Sequence, residues 1–206
     1  MADYGVGCVT FYSPFYNYIT AVNTAAKNSH HHEVPDFYRF IYLLSNEESV
    51  PAIDIDNRDT IFDASNQVKY HDEHKVWYTE IVFEFAWQIH PDVFHVVCED
   101  IFHGQMHCVY IGAESAGDYF ENTDKEGLFY PQRFRAEIQI GNGDSEQEDF
   151  ETKTELVLWL QELIQDYHLN VQIDESLSLE EMENRICHYC DDEDIEYGVI
   201  SIAQYE

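Results

Sequence analysis

Basic residues are what this 206-residue chain has least of. Five lysines and five arginines stand against 41 aspartates and glutamates, giving a formal net charge of −31. So few cations exclude a basic patch that would hold nucleic acid or an anionic membrane, since both ligands are repelled by this surface. No run of 18 uncharged apolar residues occurs, so no membrane-spanning helix is expected. Met1-Ala2-Asp3-Tyr4 has no basic stretch leading into an apolar one, so no secretory signal is expected. Cysteine is scarce and odd in number (Cys8, Cys98, Cys108, Cys187, Cys190), without the spacing of a disulfide framework. That pattern points to the reducing cytoplasm.

Catalytic signatures are missing too. There is no G-x-S-x-G and no H-E-x-x-H, and Gly5-Val6-Gly7 is too short for a dinucleotide or phosphate loop. Cys98 and His95 are near in sequence, which says little about a nucleophile and its base. Carboxylate pairs are so abundant that any two would suit a hydrolase, so they discriminate nothing. No enzyme and no cofactor are expected, and no internal repeat or low-complexity tract is present.

What is present is a foldable composition under an extreme charge. Apolar residues make up 45% of the chain and aromatics 15%. Disordered acidic segments are poor in both, so this chain should bury a core. Small soluble domains need a net charge of only about 2–8. A larger surplus destabilises the compact state by self-repulsion, so solubility alone does not explain it. The surplus is uneven: residues 1–103 carry 16 acids and 5 bases, and residues 104–206 carry 25 acids and 5 bases. Duplex DNA carries roughly one charge per 1.7 Å of axis, so the surplus matches about 50 Å of duplex.

The hydrophobic pattern predicts an α+β fold, a mostly antiparallel sheet with two or three helices packed on one side. Tyr4–Tyr12 reads as a strand, and a helix follows to about Lys27 with Ser13 as its N-cap and Pro14 in its first turn. Phe37–Leu44 and Val93–Phe102 are ambiguous between strand and helix. Short strands are expected at Ile61-Phe62 and Val68. Val76–Gln88 is the clearest strand, with Trp77, Thr79, Ile81, Phe83, Phe85 and Trp87 facing the core. His107–Ile111 and Arg133–Ile140 read as strands, joined by a long connection over 112–129. Gly141-Asn142-Gly143-Asp144 reads as a turn leading into an acidic loop. Lys153–Tyr167 has helical spacing at Leu156, Leu160, Leu163, Ile164 and Tyr167. Ser178 and Glu181 form a capping box for a last helix reaching about Tyr189, and Tyr197–Ala203 closes as a strand. The expected division is a β-rich body over 1–140 with an N-terminal helix, and an acidic α/β segment over 141–206, the two together allowing one continuous domain.

Candidate partner-binding residues are three acidic clusters: Asp144, Glu146, Glu148, Asp149, Glu151 and Glu155; Glu180, Glu181 and Glu183; and Asp191, Asp192, Glu193, Asp194 and Glu196. Each alone has a bland reading as a solvated loop or as acids favoured at a helix start. Cys187-His188-Tyr189-Cys190 has zinc-like C-x2-C spacing, with His103 and His107 as further weak ligands, but no second C-x2-C exists. The triple histidine His30-His31-His32 reads as a loop. Asp54-Ile55-Asp56-Asn57-Arg58-Asp59 opens like a calcium loop but lacks its glycine and terminal glutamate. Asp144–Asp149 is an alternative calcium region. Tyr119, Phe120, Phe129 and Tyr130 lie among acids and suit stacking against a partner's arginine, or ordinary packing.

On the acidic clusters at Asp144–Glu155, Glu180–Glu183 and Asp191–Glu196, the chain resembles as a class the acidic nucleic-acid-mimic inhibitors that phages direct against host defence, the anti-CRISPR and anti-restriction proteins. The resemblance lies in charge and matches no family motif. It implies a cytoplasmic inhibitor, in the host cytoplasm for a viral protein. Its partner would be a basic nucleic-acid-binding complex, with no direct contact to nucleic acid or membrane. A homodimer is compatible with it. The competing expectations are a halophile-adapted protein of other function, and a zinc- or calcium-dependent enzyme or module.

Overall fold

The computed structural model describes residues 4–29, 36–45, 59–64, 67–86, 88–114, 120–140, 146–193 and 198–205. The His30–His32 run, residues 54–58, Trp87, Tyr119, the turn at 141–144, Asp194 and Glu196 lie outside the described residues, as do the side chains of Asp191 and Asp192. The chain is α+β and divides into two compact units, Met1–Asp124 and Lys125–Glu206. All described strand pairings are antiparallel. They form two sheets, where the sequence suggested one.

The first unit is built on β1 (Tyr4–Ser13), β2 (Thr60–Asp63), β3 (Lys69–His71), β4 (Val76–Ala86), β5 (His107–Glu114) and β6 (Phe120–Asn122). The order is β2-β4-β1-β5-β6, with β3 also on β4. Strand β4 alternates as expected: Thr79, Ile81, Phe83 and Phe85 are buried, while Trp77 packs at the margin of the core. Helices α1 (Tyr16–Lys27) and α2 (Asp36–Leu44) supply Ile19, Val22, Phe37, Phe40 and Ile41 to that core. Phe37, Phe83 and Phe94 meet edge to face at centroid distances of 5.6–6.0 Å, the geometry favoured by ring quadrupoles. The ambiguous 93–102 stretch is helical: α3 (Asp92–His95) runs into a π-helical turn, Val96–Ile101. The connection expected over 112–129 instead contains the end of β5 and all of β6.

Ser13 does not cap α1. It is the last residue of β1, fully buried, and its hydroxyl donates to the Gln105 carbonyl while accepting from the Phe15 amide. The helix starts later, with Phe15 as N-cap and no side-chain cap.

The second unit contains β7 (Phe134–Ile140), β8 (Glu146–Phe150), α4 (Lys153–Asp166), α5 (Leu179–Asp192) and β9 (Gly198–Gln204), with strand order β8-β7-β9. The boundary expected at 140/141 is therefore displaced. Strand β7 pairs along its length with β8 and β9, so it belongs with the C-terminal segment. Residues 146–150, expected as an acidic loop, are a strand because β7 offers a complete hydrogen-bonding edge. Ala136, Ile138, Ile200 and Ile202 of the sheet pack with Leu156, Leu160, Leu163, Met182 and Ile186 of the helices. Tyr167, expected in the α4 stripe, is 39% exposed beyond the helix end.

Both helices of this unit begin with reciprocal caps. Thr152 Oγ1 accepts the Glu155 amide while Glu155 accepts the Thr152 amide. Ser178 and Glu181 repeat the arrangement at α5. Replacing Thr152 with alanine is expected to cost about 1 kcal/mol, read from the denaturant midpoint. An unchanged midpoint would mean the cap contributes nothing. Among the described residues, no helix is long and apolar enough to cross a membrane.

Candidate functional site

The second unit holds 21 acids and 5 bases in 82 residues, the denser share of the surplus. Two of those bases give their hydrogen bonds to backbone carbonyls while acting on Asp174 and Glu181 through charge. Lys153 Nζ donates to the carbonyls of Glu175 (2.9 Å) and Leu177 (2.6 Å), and Arg185 donates to the Gln172 carbonyl (2.9 Å). Arg135 lies 3.8 Å from Asp149, and Arg133 donates to the carbonyls of Tyr130 and Gln132. Lys153, Arg185 and Arg133 thus pin loops through carbonyls, while Arg135 sits beside Asp149.

The candidate acids separate into groups with different jobs. Register places Glu146 and Glu148 opposite Ile138 and Ala136, on the helix-bearing side of the sheet, while Asp149 lies opposite Arg135 on the other side. Consecutive carboxylates on a strand diverge, so Glu148 and Asp149 do not converge on one calcium ion. Asp149 accepts from the Tyr205 hydroxyl at 2.9 Å. Burial and then this carboxylate push the Tyr205 phenol up to about 12. Glu155 is held by the capping box, and Glu183 accepts the Ile202 amide of β9 at 3.3 Å. Glu183, half-buried, is a brace between α5 and β9. Glu181 is held below the usual carboxylate range by the Ser178 amide and hydroxyl. Glu146 meets the Tyr167 hydroxyl at 3.5 Å. Glu148, Glu151, Glu180 and Glu193 are exposed and have no side-chain partner among the described residues.

The α4 side of this surface forms a cleft of about 440 Å³. Asp149, Glu151, Glu155 and Glu162 line it together with Gln132, Phe150, Leu158 and Trp159. Glu155, Leu158, Trp159 and Glu162 fall at i, i+3, i+4 and i+7, one outward stripe of α4 beside the buried stripe that ends on Ile164. Leu158 is 55% exposed, and Trp159 leans on Phe150 with centroids 5.5 Å apart. Leu158, Trp159 and Glu162 are the members the acidic-cluster reading misses. Their i+3/i+4 spacing was the available signal.

The 180–183 cluster does not join this cleft. Glu181 borders a separate one of about 500 Å³ with Asn184, Arg185, His188 and Tyr189, where a cation is already present. Cys190 is 1% exposed and Cys187 packs beside it in the core of the second unit, so the C-x2-C spacing follows an apolar helix face. His103 and His107 belong to the first unit, on the loop before β5 and its first residue. Among the described residues, no three His, Cys, Asp or Glu side chains gather as a metal site.

The first unit contains one carboxylate–imidazole pair that sequence gave no means to find. Asp59, 3% exposed, accepts the Ala86 amide at 3.1 Å and faces His90 Nδ1 at 2.8 Å. The pair braces the end of β4 through the Ala86 amide. His95 is exposed and Cys98 is buried. The Cys108 thiol and then burial push the Cys98 thiol up, which disfavours its thiolate. No family model, curated protein or solved structure matches this chain.

Proposed function

We propose that this protein is a non-catalytic anionic binding protein whose second unit occupies the basic nucleic-acid-binding surface of a partner as a carboxylate decoy. The partner class that the sequence resemblance implies is a CRISPR effector or restriction enzyme of a host cell. The observation that carries the reading is the set of exposed carboxylates Glu148, Glu151 and Glu162, which have no side-chain partner among the described residues, on one unit whose Lys153 and Arg185 donate their hydrogen bonds to backbone carbonyls. A surface acid that served only stability would gain from a neighbouring cation, at modest strength. Here Glu148, Glu151 and Glu162 have no such cation among the described residues, which supports a negative potential left open to a partner. Multidentate arginine–carboxylate contacts are strong once desolvated, and they use the groups that otherwise hold phosphates.

The test is capture from lysates of cells carrying such defence systems, followed by competition with labelled duplex DNA and guide RNA. The expected result is a captured nucleic-acid-binding protein that elutes with salt and releases its nucleic acid as this protein is added. A ternary complex retaining both ligands rejects the decoy reading. The same preparation in dilute buffer separates it from halophilic adaptation, because a salt-adapted protein unfolds there and a decoy stays folded.

A further inference from the structure

The α4 cleft combines two features that an acidic surface alone does not. Carboxylates line it together with aromatic and aliphatic side chains. Asp149 and Glu155 are already engaged with Tyr205 and the Thr152 cap, whereas Glu151 and Glu162 have no side-chain partner among the described residues. Between them lie Trp159 and the 55% exposed Leu158. A single exposed leucine is ordinary on a surface; here it lines a cleft together with an indole and carboxylates, the mix of apolar area and convergent polar groups that ligand sites show.

We infer that this cleft receives an arginine side chain from a basic segment of the partner. Its guanidinium would stack on Trp159 between the carboxylates of Glu151 and Glu162, with its aliphatic stem against Leu158. The choice of arginine over lysine follows from the two groups' hydration and shape. Guanidinium is planar, weakly hydrated and suited both to an aromatic face and to a carboxylate fork, while ammonium is compact and strongly hydrated. The volume, about 440 Å³, admits one long side chain with part of its backbone. This inference rests on the reading of the second unit as an anionic binding surface, and its test keeps the two apart.

Acetylated nona-arginine and nona-lysine are titrated into the full-length protein at 50 and 150 mM salt, followed by calorimetry and by the indole N–H resonances, with Trp159 assigned through Trp159→Phe. Nona-arginine is expected to bind about three- to fivefold more tightly and to shift the Trp159 resonance. Glu151→Gln with Glu162→Gln is expected to erase that preference. The matched control, Asp72→Asn with Glu73→Gln in the first unit, is expected to leave it intact. Equal affinity for both peptides, an unmoved Trp159 resonance, or equal effects of the two variant pairs would overturn the arginine cleft while leaving anionic binding standing. Failure of either peptide to bind at 50 mM salt would remove the cleft and the proposed function together.

Discussion

Gly5→Ala is expected to destabilise the first unit by about 3 kcal/mol, the upper part of the range for overpacking a core. That is a large fraction of a typical domain's total of about 5–15 kcal/mol. The cause is a close approach across β1. Gly5 pairs directly with Phe85 and Gly7 with Phe83, and both rings lie over the glycines on the buried face. A Cβ at position 5 would overlap the Phe85 ring and stand 2.7 Å from the Ala113 carbonyl oxygen. Phe85 is fully buried and the carbonyl belongs to the neighbouring strand, so neither can retreat without moving the sheet. At position 7 the nearest atoms a Cβ would meet are those of the Phe83 ring, at 2.6 Å and 3.0 Å.

The two sites should therefore differ in rescue. Phe83→Leu should recover most of the loss in Gly7→Ala, because the obstacle is a side chain. Phe85→Leu should recover only part of the loss in Gly5→Ala, because the carbonyl remains. Denaturant unfolding of the singles and doubles gives the coupling energies directly. A Gly5→Ala protein as stable as the parent would show that the glycines are not spacers for the aromatic rings.

Those glycines illustrate what sequence conveyed and what it withheld. The Gly-Val-Gly spacing was visible, and the structure places it inside β1. Its positive role needed the register of β1 against β4. The alternation of β4, the spacing of Leu156, Leu160 and Leu163, and the Ser178–Glu181 box were legible because each is a local consequence of backbone geometry. Strand β8 was not legible. Glu146-Gln147-Glu148-Asp149 has neither apolar alternation nor β-branched residues, and only Phe150 is buried. Its conformation comes from the ladder offered by β7, a tertiary partner that overrides local preference. Acids on this edge strand also discourage strand addition by another chain. The same long-range pairing hid the unit boundary, since β9 returns to β7 only after both helices. The acidic clusters were found by composition. Composition could not tell an exposed Glu148 from Glu183, which is spent on the Ile202 amide, or place Trp159 beside Glu162.

On the proposed reading, binding depends on where the charge lies as well as on its amount, and this yields the other large effect. Converting Glu148, Glu151 and Glu162 to lysine moves the formal charge by six units on the surface proposed to meet the partner. Converting Asp72, Glu73 and Asp100, exposed acids of the first unit, moves it equally elsewhere. Electrostatic steering raises association rates by about 10- to 1,000-fold, and it decays over about 10 Å at 0.1 M salt. A field so short-ranged is set by charges near the docking face. The first triple variant should therefore associate with the captured nucleic-acid-binding partner at least tenfold more slowly at low salt, and its association rate should respond weakly to added salt. The second should remain within about threefold of the parent and keep the parent's steep salt response. Folding of both is expected to persist, because none of the six carboxylates has a side-chain partner among the described residues. Stopped-flow association at several salt concentrations provides the comparison. Equal slowing by both variants would mean that the partner senses only the total charge, and the assignment of binding to the second unit would then fail.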